Sequence, residues 1–335
     1  MCQKCGVHLI GSVPMASAEA VFRALAGPLG AHLKRIPDGE TGERGRWIWW
    51  QHKKLADHPD MEVDTDSPPL EVRQWDGQVL RVTPTVRFKA GVDPAKVVFQ
   101  PGYAEPIIES YGVFQRLRAE GVIPTHVRYM VAMPTPLAPA AMYVSPSAQA
   151  AFLPPYERAL LADLARIVAA VPAADLSIQW DVCQEVLIWE NYFKTRVPDY
   201  KAQVIDQLTR LGAAVPEPVE MGYHLCYGSP RDEHLIMPKD AGILTEMSNG
   251  IIAGLGRRLD YLHLPVPKDR TDAAYFAPLA GLKLPKATQL YLGLLHHDDA
   301  AGDRARATAA RRVVPDFGYA TECGWAGLIP HGCPA

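Results

Sequence analysis

The sequence predicts a (β/α)8 barrel, and three observations carry that prediction. Short β-branched or aliphatic runs recur along the chain, eight in all, and helical patterns follow most of them, which is the signature of parallel βαβ units. A length of 335 residues suits one large barrel, a fold that reaches this size without splitting. Residues able to do chemistry gather at the C-terminal ends of the proposed strands, where a barrel presents its active site.

The eight strand-like runs are 7–10, 32–36, 126–132, 176–181, 219–225, 260–264, 290–295 and 317–321. Helical patterns are read over 17–26, behind Ser17 as a cap, and over 156–170, 199–211, 241–255 and 303–313. Two stretches interrupt the repeat. Between the second and third runs an inserted segment at about 48–122 carries Trp75-Asp76-Gly77-Gln78 between strand-like stretches, then a helix over 104–119. The Asp-Gly pair reads as a hairpin turn, so an excursion over one end of the barrel is expected. The second stretch, 265–285, is rich in proline and charge and is expected to loop across the mouth. With no internal repeat or low-complexity tract, a single domain over 1–335 is expected.

Composition narrows the function classes. Hydrophobic residues make up 48% and charged residues 21%, enough apolar material to bury a substantial core. Against 37 acidic residues stand 34 basic ones, so there is no positive excess to release counterions from a nucleic acid. The opening MCQKCGVHLIGSVP has no apolar signal region. No later stretch reaches the roughly 18 uninterrupted apolar residues of a membrane span, so a cytoplasmic protein without membrane contact is expected. Six cysteines in such a chain point to free thiols or metal ligands rather than disulfides. Cys2 and Cys5 form a CxxC without a second half and read as incidental; Cys183 and Cys333 read as structural or surface thiols.

At the strand ends stand Gly11-Ser12-Val13-Pro14, Asp38-Gly39-Glu40, Pro134-Thr135-Pro136, Asp181, His224-Leu225-Cys226, His263, His296-His297 and Glu322-Cys323-Gly324. His224 and Cys226 are two apart, so on a strand both side chains point to one face and can share a metal. Singly, each reads better as a core residue. Glu246 and Cys323 complete a set of one imidazole, two thiolates and a carboxylate, which suits zinc, and a weakly held oxygen ligand can yield its place to a substrate thiol. A metal-bound thiol is deprotonated and becomes a nucleophile at neutral pH.

The fifth-strand His-x-Cys, the later Glu, the Cys-Gly after the eighth strand, the Ile10-Gly11-Ser12-Val13-Pro14 opening, Gly39-Glu40 and Ile178-Gln179-Trp180-Asp181 together resemble the C-terminal catalytic barrel of cobalamin-independent methionine synthase. That barrel shares a superfamily with uroporphyrinogen decarboxylase. The resemblance implies zinc on His224, Cys226, Glu246 and Cys323, and methyl transfer to a zinc-bound thiolate, homocysteine in the best-known member. It implies that Ile10, Gly11, Ser12, Gly39, Glu40 and Asp181 hold the amino-acid part of the substrate. His296 matches a histidine that serves in proton transfer, so Glu40, Asp181 and His296 are the acid–base candidates.

Two departures stand against the family pattern. The family carries a second, N-terminal barrel that helps bind polyglutamylated folate, and this sequence does not include one. Where the family has Asp-Glu-Pro after the fourth strand, the chain has Asp181-Val182-Cys183. The methyl or alkyl donor is therefore open between folate, a smaller donor and a donor protein. Two rival readings stand beside methyl transfer: another zinc-dependent reaction on the same barrel, such as alkyl-thiol addition, a lyase or a demethylase, and a non-catalytic zinc-binding protein. His263, His297, Trp47, Trp49, Trp50, Tyr103 and Tyr111 read as wall or packing residues that could also line the site.

Overall fold

The structure is a computed structural model and describes residues 6–194, 196–230 and 233–325, so Cys2, Cys5 and Cys333 lie outside the described residues. In chain order the strands of its main sheet are β1 (Val7–His8), β2 (Arg35–Pro37), β3 (Arg128–Pro134), β4 (Leu176–Val182), β5 (Glu220–Leu225), β6 (Tyr261–Pro265), β7 (Gln289–Leu295) and β8 (Gly318–Thr321). All pair in parallel, β2 to β8 in sequence and β8 with β1. Single parallel bridges, Val7 to Leu33 and Ser12 to Gly39, link the first two strand regions and bring the barrel close to closure. Each predicted run corresponds to one of these strands, with ends shifted by a few residues.

Alternation along each strand sorts its side chains. On β4, Leu176, Ile178, Trp180 and Val182 join the apolar layer beneath the helices, whereas Ser177, Gln179 and Asp181 point into the barrel, as their bonds across it show. The floor of the interior is polar. Arg35 is 1% exposed, donates to Glu220 Oε1 at 2.6 Å and lies over the Tyr261 ring at 3.9 Å. Its Nη1 also reaches His8 Nδ1 at 3.5 Å. Because Arg35 can only donate, His8 accepts at Nδ1 and carries its proton on Nε2, which donates to Gln179 Oε1 at 2.8 Å. The amide of Gln179 is thereby turned to donate to Ile10 O at 2.6 Å and to Asp181 Oδ1 at 2.9 Å. A hydrogen-bonded chain thus runs from the barrel floor to its mouth.

The outer helices follow the sequence closely in most places. Ser17 caps the helix Ala18–Leu29, its Oγ accepting from Ala20 N at 3.2 Å, and Val21, Phe22 and Leu25 bury its inner stripe. The helix expected to begin at Tyr156 instead spans Pro146–Ala170. A Pro-Pro pair normally breaks a helix, but burial of Phe152, Pro155 and Tyr156 holds this one through Pro154 and Pro155. Short helices Trp49–Ala56, Leu137–Tyr143 and Gln184–Trp189 were not expected.

The excursion contains two antiparallel pairs, Met61–Val63 with Val86–Phe88 and Leu70–Arg73 with Val79–Thr83. The expected turn joins the second pair, with Gln74 N donating to Gln78 O at 2.8 Å and Gly77 at φ +87°. Its apolar cluster of Ile48, Leu55, Met61, Val86 and Phe99 continues into Cys183, Leu187 and Cys226, so the excursion covers the C-terminal end of the barrel. The 265–285 stretch is not all loop: it holds a short helix, Ala273–Phe276, and a 3-10 turn, Ala277–Gly281. Among the described residues no helix is long and apolar enough to cross a membrane.

The floor ion pair gives a stability test. Arg35→Met leaves the largely buried Glu220 charge with only the more distant Arg128, 3.7 Å away, and the expected loss in urea unfolding is about 3 kcal/mol. A loss under about 1 kcal/mol would put the pair on the footing of an exposed one.

Candidate metal and substrate site

Parallel register sets the level of the site. Asp181 pairs with His224 and His224 with His263, so three adjacent strands offer polar side chains at one height inside the barrel. Cys226 stands two residues beyond His224, on the same inward face and just past the end of β5. Cys323 arrives from beyond β8. Cys226 Sγ lies 3.5 Å from Cys323 Sγ, and Cys323 Sγ lies 3.8 Å from His224 Nε2. Among the described residues, one ligand atom from each of these three side chains falls within 4.8 Å of the others. One imidazole nitrogen and two sulfurs are a borderline-soft donor set, and three protein ligands with an open fourth position is the pattern of catalytic zinc.

Glu246, expected as the fourth ligand, is not brought to this group. It lies on the helix Gly242–Gly254, its side chain 52% exposed and paired with Lys201 at 2.6 Å. Cys183, read as a structural or surface thiol, is buried and lies against Cys226, whose thiol it pushes upward in pKa.

Two histidines set each other's orientation. His224 Nδ1 meets His263 Nδ1 at 2.7 Å, and His263 Nε2 meets the Thr321 carbonyl at 3.0 Å. Burial pushes His263 down to about 3 and His224 well below the ordinary histidine range, so both rings are neutral at ordinary pH.

The substrate-binding candidates converge on the opposite side. Gly39 at φ +81° and Glu40 at φ +52° turn the chain left-handed after β2 and carry the Glu40 carboxylate inward. Gly11 makes that possible: a Cβ there would stand 3.3 Å from Glu40 Oε1 and 3.3 Å from the Ala132 methyl. Ser12 is bridged to Gly39, Ile10 O is tied to Gln179, and Gln179 is tied to Asp181. Burial raises the Glu40 carboxyl well above the usual range, and the charge of Asp181 adds to the rise. Burial pushes Asp181 up to about 7, against the pull of hydrogen bonds from Gln179 and Trp47. Two buried carboxyls facing each other is an arrangement that an added cation relieves.

Trp47 was left ambiguous by the sequence and belongs here. It reaches Asp181 and sits at φ +50°, an outlier for so bulky a residue. Arg44 is buried and bonds Asp38 Oδ2 at 2.6 Å, while Glu40 N donates to Asp38 Oδ1 at 2.9 Å. Asp38 therefore braces the loop that presents Glu40. Tyr103 and Tyr111 pack in the main core, and His297 is an exposed surface residue.

His296 lies behind Cys323, beside its neighbour Glu322. His296 Nε2 donates to Val266 O at 2.8 Å, which leaves Nδ1 as the free position, 3.9 Å from Glu322 Oε2 and otherwise without a hydrogen-bond partner. Burial would raise the Glu322 carboxyl, but facing His234, 2.8 Å away, and Ser229 hold it below the ordinary range. Glu322 was read only as a strand-end residue, while His234 and Ser229 escaped the sequence reading, since no spacing could have linked a loop residue to a strand end so far along the chain.

No family model matches the chain, and no curated protein sequence does. Solved structures do share its fold. A methyltransferase from Methanosarcina mazei superposes with a TM-score of 0.55 at 13% identity, over 98% of this chain and 91% of that one. A candidate vitamin B12-independent methionine synthase from Listeria monocytogenes superposes with a TM-score of 0.51 at 14% identity, over 93% of this chain and 81% of its own. At such identities the likeness is one of fold.

Asp181 gives a pH test. A carboxyl held up to about 7, from an ordinary 3.8, favours folding at low pH. That contribution is full below about pH 4 and lost as pH rises through about 7. Asp181→Asn should therefore raise the melting temperature at pH 8, with a gain that shrinks toward pH 4. An equal effect at both pH values would show that the carboxyl is not held protonated.

Proposed function

We propose that the protein is a zinc-dependent transferase that moves a methyl or other small alkyl group onto the sulfur of an aminothiol. One observation carries this reading: a His-Cys-Cys donor set lies at the same barrel mouth as two buried carboxyls, one of which adds to the rise of the other. The likeness to methyltransferase folds supports the reaction class.

In this reading His224, Cys226 and Cys323 hold the ion, which when bound supplies a Lewis acid that favours the thiolate form of an incoming thiol. Glu40 and Asp181 take the substrate ammonium, whose charge offsets the cost of keeping both carboxylates ionised in a buried place. Gly11 and Ser12, past the end of β1, are the residues suited to the substrate carboxylate. The sulfur forms its bond to the alkyl carbon as the donor's bond to that carbon breaks. The thiol proton leaves, and the free Nδ1 of His296 is the group poised to handle a proton on this side of the mouth. The excursion closes over the sulfur ligands and limits access, which favours a donor smaller than a polyglutamylated folate or one presented by a protein.

Metal analysis of purified protein should find close to one zinc per chain. Cys226→Ser and Cys323→Ser should each lose it, and Glu246→Gln should keep it. By calorimetry, homocysteine or a related aminothiol should bind the zinc-loaded protein, and Asp181→Asn should weaken that binding by about tenfold or more. Zinc-free protein that takes up no zinc, or serine variants that keep it in full, would overturn the assignment.

A further inference from the structure

The hydrogen bonds around His263 decide more than its own place, and their meaning rests on the metal site proposed above. A carbonyl oxygen can only accept, so His263 Nε2, at 3.0 Å from Thr321 O, is an N–H. In a neutral ring this leaves His263 Nδ1 as a lone pair. That lone pair faces His224 Nδ1 at 2.7 Å, so His224 Nδ1 must be the donor. The remaining nitrogen of His224, Nε2, is then bare, and it is the atom 3.8 Å from Cys323 Sγ.

Room for this relay comes from the strand between. A Cβ on Gly293 of β7 would stand 2.8 Å from Thr321 O, 3.0 Å from His263 Nε2 and 2.7 Å from the Glu322 Cα. Any side chain there would occupy the gap through which β6 and β8 exchange their hydrogen bond. The β7–β8 register also shifts between Gly293 and Leu295, at the level where Thr321 pairs. A histidine on β6, a glycine on β7 and a carbonyl on β8 thus form one device spanning three strands.

We infer that His263 is a positioning residue that locks His224 in the tautomer whose Nε2 lone pair faces the two thiols, and that Gly293 supplies the space this requires. An unrestrained neutral imidazole exchanges its proton between both nitrogens. Here the choice is made by the backbone of β8, before any metal arrives, and the metal-binding orientation needs no further ordering.

The test is imidazole nitrogen NMR on full-length, metal-free protein with labelled histidine, combined with zinc competition titration. His224 and His263 signals are identified by their loss in His224→Ala and His263→Leu proteins. The expected result is His224 protonated at Nδ1 and His263 at Nε2. In His263→Leu the His224 preference should vanish and zinc affinity should fall about 10- to 100-fold. His263→Gln, whose amide can both accept from His224 and donate to Thr321 O, should restore much of both. Gly293→Ala should shift both readouts toward the leucine variant. His224 protonated at Nε2 in the unaltered protein would overturn the inference, and that readout stands even if a variant fails to fold. Two imidazoles on the bound zinc would also overturn it, since His263 would then be a ligand. If the tautomers are as expected but no zinc binds, the relay stands and the metal reading above fails.

Discussion

Parallel strand register is the constraint on which the site depends. Asp181, His224 and His263 are direct partners on β4, β5 and β6, so a carboxylate and two imidazoles share one layer of the barrel mouth. A slip of one residue in any of these strands would turn its polar side chain out into the apolar helix layer. Cys226 follows two residues after His224 on the same inward face, and Cys323 closes the group across the last strand. The metal candidate and the substrate candidate are therefore parts of one ring, held by the same ladder of hydrogen bonds.

Beneath that ring the barrel is unusually polar, and the polarity is organised. The Arg35–Glu220 pair fixes the tautomer of His8, His8 fixes the amide of Gln179, and Gln179 donates to Asp181. Each buried donor in this chain has an acceptor, as stability requires. The unresolved tension lies at the top, where burial raises both Glu40 and Asp181 and the charge of Asp181 adds to the rise of Glu40, and where Glu40 and Trp47 hold left-handed backbone conformations. Backbone strain and two buried carboxyls thus collect at one place, on a floor otherwise satisfied.

The sequence carried the architecture because each strand announces itself locally through apolar alternation, and the Asp76-Gly77 turn through its dipeptide. It also carried His224, Cys226 and Cys323, since strand ends in a barrel converge whatever their separation along the chain. Glu246 lies apart from them for a reason the sequence already held. Leu244, Met247, Ser248 and Ile251 form the buried stripe of its helix, spaced at i, i+3, i+4 and i+7 with Thr245 buried beside them, and residue 246 falls on the other face. The Pro154-Pro155 pair misled in the opposite way, because burial outweighed a local helix-breaking signal. His263 and Glu322 could not be graded from sequence: their importance lies in contacts with Thr321 and His234, which only closure of the barrel creates.

The central claim is that three protein ligands leave one side of a metal open to a thiol, beside carboxylates that receive the rest of the substrate. Zinc-edge X-ray absorption on the unaltered protein tests it most directly, with and without an added aminothiol. The account predicts two sulfurs and one imidazole from the protein, and a third sulfur when the aminothiol is present. A first shell already filled by protein side chains, or a spectrum that no aminothiol alters, would contradict it.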